Sequence, residues 1–145
     1  MNRYVLVGTV YKTGYQVALQ ILETEDAMPT TLPDGVSDGW WYDITGYTTA
    51  YVGWKVFDLD AEGLLFVEPT EQEHRKMTNA RMQERFDVAA QWIVFNPLQY
   101  KVDLGVAAPA EVETLALYKQ YWIDVSEVRN QSGYPSTINW PVAPF

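Results

Sequence analysis

The sequence predicts an α+β protein: a small β-rich N-terminal domain over residues 1–67, then a helical-hairpin region over residues 68–145 that ends in an extended Pro-rich tail. Three observations predict it. The first part carries short β-prone runs separated by turn signals. Residues 70–96 then contain no glycine or proline, which leaves room for a long helix. The chain closes on "STINWPVAPF", where Pro141 and Pro144 favour extended backbone.

Tyr4–Val7 and Val10-Tyr11 are β-prone, and Gln16–Leu22 reads as a strand, with a short helix open as the alternative. The stretch "TEDAMPTTLPDGVS", Thr24–Ser37, reads as a loop. Trp40–Ile44, Thr48–Val52, Lys55–Phe57 and Leu64–Val67 read as short strands, divided by Asp38-Gly39 and Glu62-Gly63 among other turns. Pro69 bars helix upstream, and Thr70 with Glu73 has the spacing of a capping box, so a helix should run from about Thr70 to Phe95. Its first part is polar: Met77, Arg81 and Glu84 share one side with little to bury. Its second part carries an apolar stripe of Met82, Phe86, Ala89, Ala90 and Ile93. Such a helix leaves the domain body or lies along a partner.

Asn96-Pro97 ends this helix, and Leu98–Leu104 with Gly105 forms a connector. A second helix starts near Pro109, which suits a first-turn position, with Glu111 and Glu113 at the positive end of the helix dipole. Val112, Leu115, Tyr118 or Lys119, Trp122 and Val125 form its inner stripe, widened by Leu117, Tyr121 and Val128. It ends around Arg129–Gly133, and the two helices can pair as an antiparallel hairpin. The boundary between the two grammars lies near Val67–Thr70.

Six Trp and ten Tyr in 145 residues exceed what a small core needs, which points to an aromatic partner surface. A net charge of −9 argues against nucleic acid and against an anionic membrane surface, since both need clustered Lys and Arg. The absence of Cys removes thiol catalysis, disulfides and thiolate metal sites and fits a reducing cytosol. No stretch reads as a membrane span or a signal peptide.

No catalytic or metal-binding constellation emerges, and no cofactor is expected. His74 is the single histidine and sits among charged residues, so it reads as a solvated surface group. Asp58–Gly63 imitates the start of an EF-hand loop, but Pro69 falls where the bidentate Glu is required, and a hairpin turn is the better reading. Asp58 with Asp60, or Asp43 beside Trp41, gives no carboxylate pair of defined separation. No phosphate-cradling glycine loop exists.

Glu71–Phe95, Ala108-Pro-Ala-Glu111, Leu117-Tyr-Lys-Gln-Tyr-Trp122 and Ser136–Pro144 occur in an order that resembles the C-terminal region of the bacteriophage tail fibre assembly proteins, the Caudovirales tail fibre chaperones. Ile138-Asn-Trp-Pro141 with Pro144 is the most specific part. The resemblance covers residues 68–145. It departs at Tyr118, where the family often has Trp, and near Trp122, where the family has an Arg. Residues 1–67 carry no resemblance of their own.

The resemblance implies a chaperone, not an enzyme. It implies binding to the C-terminal end of a trimeric tail fibre, help with folding and trimerisation, and self-association as a further possibility. The aromatic run Trp40, Trp41 and Tyr42, with Tyr47, Tyr51 and Trp54, is then the expected grip on the fibre. Strand alternation places Trp40 and Tyr42 on one face and Trp41 on the other, so only part of this set can face a partner. Tyr118, Tyr121, Trp122, Trp140 and Pro141 are the expected contact residues of the second region. The rigid tail either packs on its own hairpin or clamps a neighbouring chain. The competing reading is a glycan-binding fibre-tip component retained on the virion, since aromatic platforms suit sugar rings.

Overall fold

A computed structural model describes all residues, Met1–Phe145. β-Branched and aromatic runs between turn residues give five strands: β1 (Asn2–Thr9), β2 (Gln16–Thr24), β3 (Trp40–Asp43), β4 (Lys55–Asp58) and β5 (Leu64–Val67). They form one antiparallel sheet in the order β3-β1-β2-β4-β5. Three helices follow: α1 (Glu71–Phe95), α2 (Leu98–Asp103) and α3 (Pro109–Ser126). The fold is therefore α+β. The chain divides into two compact units, Met1–Met77 and Thr78–Phe145. The break in the fold expected near Val67–Thr70 marks the end of β5. The first turns of α1 belong with the sheet, where Glu73 pairs with Lys55 at 2.5 Å and Lys76 lies over the Tyr15 ring.

In the first unit, Val5, Val7, Ala18, Ile44, Ala50, Val56 and Phe66 make the core. Residues 4–8 of β1 are buried without alternation because both faces of the strand are covered. The core covers the Val5 and Val7 side. The loop before β3 covers the other: Gly39 lies against Leu6, the Tyr4 hydroxyl donates to the Asp26 carbonyl, and Trp41 Nε1 donates to the Thr31 carbonyl at 3.0 Å. The register shifts between Leu6 and Val7, a bulge that twists β1 against β2.

Gln16–Leu22 is strand, not helix. Thr48–Val52, expected as a strand, is irregular. Gly46 and Gly53, at φ 89° and 87°, bend the backbone on either side of it. The Arg3 guanidinium donates to one of its carbonyls, Ala50 O, and to Tyr47 O just before it, while Tyr51 O accepts the Trp54 N–H. Asp58–Gly63 forms the hairpin turn between β4 and β5, in which Asp58 Oδ1 accepts the Asp60 N–H at 2.9 Å.

The capping box at the start of α1 forms as the sequence predicts: the Glu73 N–H donates to Thr70 Oγ1 and the Thr70 N–H to Glu73 Oε1, both at 3.1 Å. The polar first part has more to bury than its pattern indicates, since Met77 is 1% exposed and Thr78 3%. Leu98–Asp103, expected as connector, is a short helix.

In the second unit the stacked rings of Phe86 on Trp122 and Trp92 on Tyr118 set α1 antiparallel to α3. Met82, Ala89, Leu98, Leu115, Tyr118, Tyr121, Val125 and Val128 are the buried core. Three expected stripe positions are exposed: Ala90, Val112 and Leu117. The stripe runs through Leu115, Tyr118, Tyr121 and Val125, so Val112 and Leu117 fall outside the arc that meets α1.

Candidate functional site

The aromatic residues of the first unit do not form one surface. Tyr42, Tyr47 and Trp54 pack against the sheet core. Trp41 is half-buried and tied to the loop through its indole N–H. Trp40, at the end of β3, is 52% exposed, and Tyr51 is 51% exposed with its ring 4.7 Å from that of Trp54. Register places Trp40 beside Val7, Tyr42 beside Val5 and Trp41 beside Leu6, which is the alternation expected. Trp40 and Tyr51 are the members of the set that offer most surface outward.

The residues singled out in the second unit are brought together instead. Tyr118 and Tyr121 are buried, and Trp122, Trp140 and Pro141 are half-buried. The tail folds back onto its own helices: Ile138, Trp140 and Phe145 pack against the helical core. Phe145 stacks on Trp92 with centroids 4.9 Å apart and meets Tyr121 edge-on at 5.7 Å. Arg85 lies over the Trp140 ring at 3.8 Å, a cation–π contact of about 0.5–2 kcal/mol. The Gln131 amide holds the tail from both sides of Asn139, donating to its carbonyl at 2.8 Å and accepting its N–H at 2.9 Å. Thr78 Oγ1 donates to the Pro135 carbonyl at 2.7 Å.

These contacts set the electrostatics of the cluster. Burial pushes the Tyr121 phenol above its ordinary pKa, while the Arg85 charge opposes that rise. Burial likewise lowers the Arg81 and Arg85 guanidinium values, with the neighbouring Arg85 charge adding to the effect at Arg81. The Tyr118 hydroxyl donates to the Ala89 carbonyl at 2.9 Å, so the buried phenol is satisfied. Trp122 Nε1 is buried without a partner.

A surface that sequence reasoning missed surrounds the turn between α1 and α3. Val94, Phe95, Tyr100, Leu104 and Val106 are each 66–79% exposed. A groove of about 400 Å³ runs between Ile93, Val94, Pro97, Gln99 and Tyr100. One signal was available: Ile93-Val94-Phe95 are consecutive on a helix and span too wide an arc for all three to face inward.

No group of three or more His, Cys, Asp or Glu side chains is placed to hold a metal ion, and no helix is long and apolar enough to cross a membrane. The arrangement offers apolar and aromatic contact area.

The chain matches the family described as Caudovirales tail fibre assembly protein, lambda gpK, over residues 15–145. The match includes most of the sheet as well as the helices, although residues 1–67 carried no resemblance on their own. No curated protein and no solved structure matches the chain.

Proposed function

The chain belongs to the Caudovirales tail fibre assembly protein family, and we propose that it is a chaperone that binds the C-terminal end of a tail fibre and promotes its folding and trimerisation. The observation that carries the proposal is the family match from residue 15 to residue 145, which takes in both compact units.

The physics of the task supports it. A long intertwined β fibre has non-local contacts and many near-equivalent registers. Its chains fold slowly and expose strand edges that aggregate. A protein that holds the C-terminal ends in place shortens the search for register. It needs apolar surface that remains open in the free state, and Trp40, Tyr51 and the rim around Phe95 and Tyr100 provide such surface. The action belongs in the host cytoplasm, before the fibre joins the virion.

The test is co-expression with the C-terminal segment of the fibre encoded beside it. Soluble, SDS-resistant fibre trimer should appear with this protein and not without it. Equal trimer yield from the fibre alone overturns the proposal. Co-purification with the trimer distinguishes a retained subunit from a released one.

A further inference from the structure

The sheet has two edges, and the fold treats them differently. At β5 the Leu64 N–H donates to the Tyr47 hydroxyl at 2.9 Å, and the Tyr47 ring meets Phe66 edge-on. The loop after β3 has therefore placed a side chain where an incoming strand would bond. Natural sheets plug or cover edges in this way when pairing must be avoided.

At β3 nothing comparable occurs. The Ile44 N–H donates to Arg3 O at 2.8 Å. In an antiparallel ladder bonded pairs alternate, so Val5–Tyr42 and Val7–Trp40 are the next bonded pairs in this register. Trp41 and Asp43 then turn their N–H and C=O groups away from β1, and no protein group takes them. Trp40 stands half-exposed at the end of the same strand.

Charge narrows what this edge accepts. Residues 13–54 contain Glu23, Glu25, Asp26, Asp34, Asp38 and Asp43 and no Lys, Arg or His. Arg3, the nearest cation on β1, is engaged by Glu23 and by the carbonyls of Tyr47 and Ala50. Asp43 stays ionised to lower pH than usual because it accepts hydrogen bonds from Thr45. A second copy would bring this acidic edge against itself, and like charges facing each other across strands are destabilising.

We propose that the β3 edge takes an extended, basic segment of another protein by strand addition. The backbone groups of Trp41 and Asp43 bond the incoming strand, Trp40 supplies apolar contact, and the acidic surround selects Lys and Arg on alternate residues. The proposal deepens the assembly reading and rests on it only for the identity of the protein that supplies the strand.

The probe is a short synthetic peptide of alternating lysine and valine, with its glutamate–valine counterpart as control. Each is titrated into the full-length ¹⁵N-labelled protein. The lysine peptide should shift the Trp41 and Asp43 amides most, with affinity falling as salt rises, and the glutamate peptide should not bind. Asp43→Pro removes an outward N–H without breaking the β1 ladder and should cost about tenfold in affinity, more than Asp43→Asn, which keeps that N–H. Equal binding of both peptides, shifts centred elsewhere, or full affinity in folded Asp43→Pro overturns the proposal. Should Asp43→Pro fail to fold, the shift map of the unmodified protein decides alone. A protein that ignores the lysine peptide yet still raises fibre trimer overturns this inference and leaves the assembly role standing.

Discussion

The two units use their aromatic residues in opposite ways. In the sheet unit, Tyr42, Tyr47 and Trp54 line a core that β-branched and aliphatic residues already fill, and Trp40 and Tyr51 are left at the surface. In the helical unit, Phe86, Trp92, Trp122 and Phe145 are partly buried and stack on one another and on the buried Tyr118, packed against the core. A sheet buries area through many strands at once. Two helices alone bury little, so the unit relies on large rings and on its own tail as a third layer. Charge follows the same division. The sheet unit carries five Lys and Arg against twelve Asp and Glu, while the helical unit carries five against seven. Aromatic content therefore does not by itself mark an open surface: the richer cluster is packed inward, and the sparser one leaves Trp40 and Tyr51 exposed.

That contrast predicts where substitutions should hurt. The largest effect belongs to Tyr118→Ala, which removes a buried ring stacked on Trp92 and leaves a cavity in the helical core. It should cost about 3–5 kcal/mol, read as a fall in unfolding midpoint. Gly133→Ala comes next. A Cβ there would clash with the Thr137 carbonyl oxygen, inside the turn that launches the tail. The tail must shift, at about 1–3 kcal/mol, and hydrogen exchange at Ile138–Trp140 should quicken; unchanged protection there would mean that the tail is not held by this turn.

Tyr47→Phe tests the plugged edge. It keeps the ring and loses the acceptor of the Leu64 N–H, so stability should fall by about 1 kcal/mol and the protein should aggregate more readily on concentration. Wild-type solubility with wild-type stability would deny the plug. A smaller effect concerns acid. The bond from Lys55 holds Glu73 below its ordinary value of 4.5, and Lys101 does the same for Glu111. The unfolded chain therefore takes up protons first as pH falls. This stabilisation is present in full above 4.5 and is lost as pH drops through the lowered folded values. Glu73→Gln should flatten part of that acid response in a stability-versus-pH profile, and an unaltered profile would deny the pairing its role.

Much of this architecture was legible in the sequence because its causes are local. The capping box at Thr70 and Glu73, Pro109 at the start of α3 and the strand runs between turn residues each depend on a few neighbouring residues. The misses have long-range causes. Thr48–Val52 is irregular between Gly46 and Gly53, and Ala50 O within it is bonded by Arg3, far away in the chain. Met77 looked unburied because no aliphatic residue shares its stripe, yet it is enclosed. The candidate site was legible as a set of residue types but not as a surface. Which of Trp40, Tyr42, Tyr47 and Trp54 faces outward depends on the sheet's register and on the path of the loop between β3 and β4, and neither follows from composition.

We propose a division of labour: Trp40 and Tyr51 of the sheet unit contact the fibre, and the tail aromatics hold the helical unit together. Co-expression of the fibre segment with Trp40→Ala, and separately with Trp140→Ala, tests it most directly. Trp40→Ala should keep its melting temperature, as exposed positions usually do, and lower the yield of fibre trimer. Trp140→Ala should lower the melting temperature. A Trp40→Ala protein that assembles trimer as well as the wild type, beside a Trp140→Ala protein of undiminished stability that fails to assemble it, would reverse the assignment and place the working surface on the tail.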